Sequence, residues 1–275
     1  MPDPADATKA TVRAKYGAIA ESQSSCCAPS ESEEVPSGGA PSASTCLDMS
    51  ERYDALDGYA ADADLGLGCG LPTEIANLQP GERVIDLGSG AGLDVFVARR
   101  AVGPDGYVLG VDMTPAMVEK ARANAEQLGY ANVDFRLGEI EAMPVDDGAF
   151  DIALSNCVLN LVPDKTQAFR EIFRVLRPGG RFVISDIVST GPLPDALREA
   201  AELYVGCIAG ALPKDDYLSI MRDIGFERIT VDKERAVELP DEVLREHLSD
   251  SARADFRASG AGVLSLTVTG TVPSA

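Results

Sequence analysis

The 275-residue sequence contains no tryptophan, a single histidine and only 5% aromatic residues. Single-stranded nucleic acids bind largely by stacking on exposed aromatic rings, so this composition argues against such a partner. The formal net charge of −20 and the pI near 4.4 argue further against nucleic acid, because an acidic surface repels phosphate. We therefore expect no nucleic-acid partner.

Long apolar runs are also missing. No stretch of about 18 apolar residues could cross a membrane as a helix, and the first residues lack the apolar core of a signal peptide. We therefore expect a soluble, cytoplasmic protein with no membrane partner, in which the six cysteines are mainly reduced. Reduced cysteines are either small buried apolar residues or ligands and redox groups, and their positions must decide between the two.

Composition divides the chain into four parts. We expect an N-terminal helix in residues 1–20 and a flexible linker rich in Ser, Pro, Gly and Glu in residues 21–50. Residues 51–190 are expected to form a cofactor-binding domain. Residues 191–275 are expected to form a helical cap and two late strands.

Strands and helices alternate from about residue 80 onward. Short apolar strands separated by helices of about 10–15 residues predict βαβ units and a doubly wound, parallel sheet. The predicted strands are 83–88, 106–112, 133–139, 150–156 and 181–187, and the predicted helices between them are 91–102, 115–129 and 164–176. Two later strands, 227–235 and 264–270, could add an antiparallel edge to this α/β sheet.

A glycine-rich loop, DLGSGAG, begins at Asp86 and joins the first strand to the first helix. Glycines there allow positive φ angles and let a cofactor approach the backbone at the helix N-terminus. The same spacing serves nicotinamide cofactors, but about eighty residues precede this loop and only one nucleotide-sized half is evident. Asp112 ends the second strand, where the hydroxyl pair of a ribose would need a carboxylate acceptor.

Four motifs stand in the same order as in the class I methyltransferases, and the sequence resembles that family over about residues 75–190. The motifs are DLGSGAG (86–92), VLGVDMT (108–114), GEIEAMPVDDGAFD (138–151) and LRPGG (176–180). The resemblance implies a Rossmann-like class I methyltransferase fold with a mostly parallel seven-stranded sheet, and S-adenosylmethionine as the cofactor.

The resemblance also implies a position for each part of the cofactor. The glycine loop would bind the amino-acid end, Asp112 the ribose, Met113 and Glu139 the adenine, and Asn156 the floor of the site. The residues assigned to the cofactor in this way are Asp86, Gly88, Ser89, Gly90, Gly92, Asp112, Met113, Gly138, Glu139, Ile140 and Asn156.

Three cysteines that are distant in the sequence could meet where the methyl group should point. Ligands of open α/β sheets bind at the carboxyl ends of the strands, and Cys157 directly follows the fourth strand. Cys207 lies in the helical insertion after the fifth strand, and Cys69 in a glycine-flanked turn before the first. Taken singly, each cysteine is more often a packed core residue.

Three thiolates around one point suit a soft, thiophilic centre. Trivalent arsenic binds three sulfur atoms in a pyramid and keeps a lone pair that can attack a sulfonium methyl group. No general base is then needed, which suits a chain whose only histidine, His247, is far from every motif. Zinc would normally take a fourth ligand, and no CxxC or nearby histidine supplies one.

At this point the sequence resembles the arsenite methyltransferases over most of residues 10–235. The matching segments are YGAIAESQSSCC (16–27), GCGLP (68–72), SNCVLNLVPDK (155–165) and GCIAGAL (206–212). The resemblance implies that Cys157 and Cys207 are essential arsenic ligands and that Cys69 completes the set. The part of the chain after residue 190 would then be the acceptor-binding cap.

The family resemblance also implies a fourth thiol, from the Cys26–Cys27 pair, that takes part in thiol–disulfide steps. Cys46 is an additional thiol in this chain, and Cys26, Cys27 and Cys46 are all candidates for that role. A pentavalent product would require a thiol reductant such as thioredoxin or glutathione. The expected substrate is arsenite or its thiol conjugate, and we expect a monomer.

Two other functions remain open at this stage. The segment LRPGGRFVISDI also resembles quinone C-methyltransferases, which would need an apolar acceptor pocket and no converging thiols. A metalloid-sequestering protein would bind arsenite without consuming S-adenosylmethionine, but it would have no use for the glycine loop or for Asp112.

Overall fold

A computed structural model describes residues 4–22, 51–199, 208 and 210–274. Most of the predicted linker lies outside these residues, and with it Cys26, Cys27 and Cys46. Cys207 also lies outside them. Within the described ranges, none of the helices combines the length and the hydropathy that a membrane span requires.

Helices and strands alternate through the described chain as the sequence pattern predicts. The helices are α1 (Pro4–Ser22), α2 (Pro72–Ile75), α3 (Leu93–Val102), α4 (Pro115–Leu128), α5 (Lys165–Val175), α6 (Asp195–Glu199), α7 (Lys214–Ile224), α8 (Asp241–His247) and α9 (Asp250–Ser259). The strands are β1 (Arg83–Leu87), β2 (Tyr107–Asp112), β3 (Val133–Leu137), β4 (Phe150–Asn156), β5 (Leu176–Ser189), β6 (Glu227–Val237) and β7 (Val263–Thr271).

All seven strands form one sheet in the order β3-β2-β1-β4-β5-β7-β6. The first five are parallel, and β7 pairs antiparallel with both β5 and β6. The predicted Rossmann-like sheet with an antiparallel edge is therefore confirmed. The strand order reverses between β1 and β4, so a ligand crevice is expected at their carboxyl ends.

Each face of the sheet is covered by its own apolar layer, because successive strand residues point to opposite faces. On one face, Val84 and Val108 pack with Phe96 of α3 and Met117 of α4. On the other face, β-strand residues such as Ile85, Leu109 and Phe182 pack with α5 and α7 residues. Because both faces of the central strands are buried, their sequences are continuous apolar runs.

The structure differs from the sequence pattern mainly at element boundaries. Helix α5 ends at Val175, but β5 already begins at Leu176, so LRPGG forms its irregular start rather than a separate turn. Helix α1 continues to Ser22, two residues into the segment assigned to the linker. The late strand predicted at 264–270 is β7, and it lies between β5 and β6 rather than at the edge of the sheet.

Gly92 fixes the shape of the glycine-rich loop where α3 begins. Its φ angle is +99°, a region that L-residues rarely adopt. A Cβ atom there would also lie 2.8 Å from Cζ of Phe96 and 2.9 Å from Cζ of Phe135. Gly129, at the end of α4, has a similar φ of +67° but open space around it.

We expect Gly92→Ala to lower the free energy of unfolding by roughly 3 kcal/mol. About 1–2 kcal/mol of this comes from the left-handed backbone, and about 1–3 kcal/mol from overpacking against the two rings. Gly129→Ala should show only the backbone part, roughly 1–2 kcal/mol. Urea unfolding of both variants measures the difference, and equal losses would mean that the rings yield at no cost.

Candidate cofactor and acceptor site

A cleft opens at the carboxyl ends of β1, β2 and β4, next to the point where the strand order reverses. Its empty volume is about 1130 Å³, part of which is open to solvent. The walls come from the glycine-rich loop, from the ends of β2 and β4, from residues 63–68 and from one face of α1. The crevice predicted from the topology is therefore present.

Most residues assigned to the cofactor from the sequence line this cleft. They are Asp86, Gly88, Ser89, Gly90, Asp112, Met113, Gly138, Ile140 and Asn156. The other two residues in that set do not line it. Gly92 packs beneath the loop against two rings, and the carboxylate of Glu139 pairs with Lys9 and Arg13 of α1. The contacts assigned to all of these residues remain predictions.

Asp112 ties the end of β2 to the glycine-rich loop. One carboxylate oxygen accepts a hydrogen bond from Gly90 N at 3.0 Å, and the other accepts from Thr114 N at 2.8 Å. Burial raises the pKa of Asp112, although the two backbone N–H donors oppose the shift. The carboxylate expected to meet a ribose thus also holds the shape of the loop.

Asp86 and Asp94 add two more buried carboxyl groups to the same cleft. The pKa of Asp86 is raised well above its ordinary value by burial, and further by the nearby charges of Asp94 and Asp112. Burial also raises the pKa of Asp94 to about 6, against hydrogen bonds from Tyr53 and Asn156 that lower it. The cleft therefore concentrates carboxyl groups that are costly to ionise without a compensating positive charge.

Sequence reasoning missed Asp94. It lies in the first turn of α3, directly after the glycine-rich loop, and a helix start brings its side chain back toward that loop. Acidic residues are favoured in the first turn of a helix, where they interact with the positive end of the helix dipole. Asp94 therefore gave no indication in the sequence of a further role.

Only one basic side chain, Lys9, is among the described residues that line the cleft. Its ammonium group lies 2.7 Å from Glu139 and 3.0 Å from Glu141, and Arg13 joins the same cluster. Helix α1 is held over the cleft by these ion pairs and by Val12 and Ile19, which are buried. The positive charge of Lys9 is therefore balanced by the carboxylates of Glu139 and Glu141.

Cys69 and Cys157 are buried in the same part of the fold. Both are buried, with 0% and 3% of their surface exposed, and both belong to one apolar cluster with Val12 and Leu161. The pKa of the buried Tyr217 is raised by burial and by Asp186, with smaller contributions from Cys69 and Cys157. The two cysteines therefore lie in the same buried region of the fold, and their joint action as acceptor ligands remains a prediction.

Cys157 has an unusual backbone. Its φ angle is +61°, although it is not glycine, and its N–H donates to the carbonyl oxygen of Ser185 at 2.7 Å. A left-handed conformation costs an L-residue about 1–2 kcal/mol, and such strain is often found at functional sites. Cys157 also lines the cleft, directly after Asn156 at the end of β4.

The turn that carries Cys69 rests directly on the ends of β4 and β5. A Cβ atom on Gly68 would lie 2.6 Å from Nδ2 of Asn156, and one on Gly70 would lie 2.5 Å from Oγ of Ser185. Only glycine on both sides of Cys69 allows this approach. The motif GCG is therefore a packing requirement that positions Cys69.

No group of three His, Cys, Asp or Glu side chains in the described part of the chain is placed to hold a metal ion. Cys207, the third predicted ligand, lies outside that part. His247 ends α8 and does not line the cleft. Cys69 and Cys157 lie in one buried apolar cluster, and the meeting of the three cysteines at one point remains a prediction.

Comparison with known proteins gives the family. Residues 78–225, more than half of the chain, match the model of the methyltransferase domain. An arsenite methyltransferase of Halobacterium salinarum is 47% identical over 228 residues, which cover 82% of this chain and 58% of that protein. One of Aquipseudomonas alcaligenes is 41% identical over 67% of this chain and 55% of its own length. The chain thus spans little more than half the length of these two relatives.

Among solved structures, an arsenic(III) S-adenosylmethionine methyltransferase from Chlamydomonas reinhardtii is 37% identical and superposes with a TM-score of 0.63. The match covers 74% of this chain and 66% of that one. The family match includes the glycine-rich loop, Asp112 and the end of β4. On this evidence the chain belongs to the methyltransferase-domain family and has the class I, Rossmann-like fold.

Proposed function

We propose that the protein transfers a methyl group from S-adenosylmethionine to trivalent arsenic held by cysteine thiolates. The observation that carries the proposal is that Cys69 and Cys157 are buried in one apolar cluster, with Cys157 lining the cleft that contains the glycine-rich loop. The similarity to proteins named arsenite methyltransferases supports the same acceptor.

The charge of the cleft supports S-adenosylmethionine as the cofactor. Asp86, Asp94 and Asp112 are all costly to ionise in this buried setting, and a ligand with positive groups would offset that cost. S-adenosylmethionine carries a sulfonium and an ammonium group. A dinucleotide would instead bring its pyrophosphate to three carboxyl groups, with Lys9 already paired to glutamates.

The shape of the glycine-rich loop fits the same cofactor. Nothing lies within 4 Å of the position that a Cβ atom on Gly90 would take, so the loop leaves space there for a ligand to approach the backbone. Asp112 presents a carboxylate beside that space. In this arrangement the loop would hold the amino-acid end, and Asp112 the ribose.

The thiols set the chemistry of the acceptor. Bound S-adenosylmethionine supplies an electrophilic methyl group on positively charged sulfur, and the lone pair of As(III) is the nucleophile. Cys69 and Cys157, with Cys207 as the proposed third ligand, hold the arsenic in a water-poor pocket and add electron density to it. The thiols exchange with the oxygen or sulfur groups of the incoming arsenic species, so no general base is required.

Arsenic becomes pentavalent when it gives its lone pair to a methyl group. Regenerating a trivalent centre then takes two electrons, which thiols supply as they form a disulfide. We propose that thioredoxin or glutathione is the reductant, with Cys26, Cys27 or Cys46 as the chain's own contribution. A monomer remains the expected state.

An assay with arsenite, S-adenosylmethionine and a thiol reductant tests the proposal. We expect arsenite-dependent formation of S-adenosylhomocysteine together with methylated arsenic, separated by speciation of the products. A demethylated quinol in place of arsenite should give no turnover. Turnover with the quinol alone would indicate a quinone C-methyltransferase. Arsenite binding without turnover would indicate a metalloid-sequestering protein.

Replacing either buried thiol should separate acceptor chemistry from cofactor binding. We expect Cys157→Ser and Cys69→Ser each to lower the rate of arsenite methylation by about 100-fold or more, because the acceptor is no longer held in position. The affinity for S-adenosylhomocysteine, measured by calorimetry, should stay within about threefold of the native value. A serine variant that methylates arsenite at the native rate would refute the assigned role.

The affinity for S-adenosylmethionine should weaken in acid. Because burial raises the pKa of Asp94 to about 6, its ionised form prevails above that pH and a proton competes with the cationic ligand below it. One such group weakens binding by about tenfold between pH 7.5 and pH 5. Calorimetry across this range measures the change.

Asp94→Asn should remove most of that pH dependence, since an amide does not titrate. Asp105→Asn is the matched control, because Asp105 is an exposed carboxylate in the turn between α3 and β2. The control should retain the native pH profile. A full tenfold change in Asp94→Asn would assign the effect to Asp86 or Asp112 instead.

A further inference from the structure

A chain of hydrogen bonds connects the cofactor cleft to the turn that carries Cys69. At one end is Asp94, which lines the cleft beside the glycine-rich loop. The hydroxyl of Tyr53 lies 2.9 Å from each of its carboxylate oxygens. At the other end are the backbone N–H groups of Cys69 and Gly70. Asn156 lies between the two ends.

The side-chain amide of Asn156 makes contacts in both directions. Its Oδ1 accepts from Cys69 N at 3.0 Å and from Gly70 N at 3.2 Å. Its Nδ2 lies 3.2 Å from Asp94 Oδ2, 2.6 Å from the Tyr53 hydroxyl and 2.9 Å from the carbonyl oxygen of Gly70. Because an amide has its acceptor and its donors on opposite sides, these partners fix one orientation of Asn156.

We propose that Tyr53, Asp94 and Asn156 are positioning residues that couple binding of the cofactor to placement of Cys69. Each ligand then increases the affinity for the other. The inference rests on the proposed function, since it takes S-adenosylmethionine and As(III) as the two ligands.

The direction of the coupling follows from the ionisation of Asp94. A positive group of the cofactor in the cleft favours the carboxylate, which only accepts hydrogen bonds. The carboxylate then accepts the single hydroxyl proton of Tyr53, and its Oδ2 also accepts from the amide of Asn156. The oriented amide in turn fixes the N–H of Cys69, so its thiol is already in place when arsenic binds.

The alternative is a purely structural role, in which these hydrogen bonds stabilise the turn that carries Cys69 to the same extent with and without ligands. Two other contacts also hold this turn: Ser265 Oγ donates to Cys69 O at 2.6 Å, and Tyr53 lies 3.3 Å from Gly70 O. A brace would affect stability but leave the two ligands independent. The ratio of arsenite affinities with and without cofactor therefore separates the two roles, because stability cancels from it.

The test is calorimetric titration of the full chain with arsenite, alone and with saturating S-adenosylhomocysteine, which retains the ammonium group. For the native protein we expect arsenite to bind at least about fivefold more tightly when S-adenosylhomocysteine is present. In Tyr53→Phe, which loses only the hydroxyl, the ratio should fall to within about twofold of one. The arsenite affinity without cofactor should change less than the ratio.

Tyr107→Phe is the matched control. Tyr107 is the first residue of β2, at the amino ends of the parallel strands and away from the cleft at their carboxyl ends, and the Arg136 side chain is the partner of its hydroxyl. The ratio of arsenite affinities with and without S-adenosylhomocysteine should be the same in Tyr107→Phe as in the native chain. Circular dichroism checks the fold of each variant, and Asp94→Asn replaces Tyr53→Phe if the latter does not fold.

The outcomes separate this inference from the proposed function. A native chain that binds no arsenite in either condition overturns both. Equal arsenite affinities in the two conditions overturn the coupling and leave the function standing. If Tyr53→Phe or Asp94→Asn keeps the native ratio of arsenite affinities with and without S-adenosylhomocysteine, the hydrogen bonds have only a structural role. Failure of both variants to fold leads to the same conclusion.

Discussion

Keeping three carboxyl groups in one buried cleft is the constraint on which the rest of the site depends. Asp86, Asp94 and Asp112 all have raised pKa values because the surrounding sheet and helices exclude water. Backbone N–H groups, Tyr53 and Asn156 satisfy part of their hydrogen-bonding capacity but bring no positive charge. The cleft is therefore preorganised for a cation and disfavours a phosphate-bearing ligand.

The acceptor side depends on the same residues. Asn156 contacts Asp94 in the cleft and the backbone of Cys69 in the adjoining turn. The next residue in the chain, Cys157, supplies the second thiol. In the proposed function, one strand end thus connects the part of the site that binds the cofactor to the part that binds the acceptor.

Much of the fold could be predicted because its signals are local. The alternating apolar strands and the glycine at the end of α4 gave element types and boundaries within a few residues. The exceptions have a tertiary cause. LRPGG joins β5 because β4 offers a partner for Leu176, and α1 extends to Ser22 as part of a helix that packs on α4 and the cleft.

Residues that belong to a motif, such as Asp112 and Cys157, could be assigned to the site from the sequence, and both line the cleft. Asp94 and Tyr53 gave no such signal, because their importance comes from being buried next to each other after folding. Glu139 shows what a motif leaves out. Its predicted contact with adenine stays a prediction, and the ion pairs of its carboxylate with two basic residues of α1, far away in the sequence, had no local signal.

The left-handed backbone of Cys157 has a consequence for how this position evolves. Glycine would relieve the φ strain at this position, so selection for folding alone would favour replacement of Cys157 by glycine. A cysteine persists at such a position only where its sulfur brings an advantage that outweighs the strain. The residue found at this position in related sequences therefore reports on selection for thiol chemistry, separately from selection for the fold.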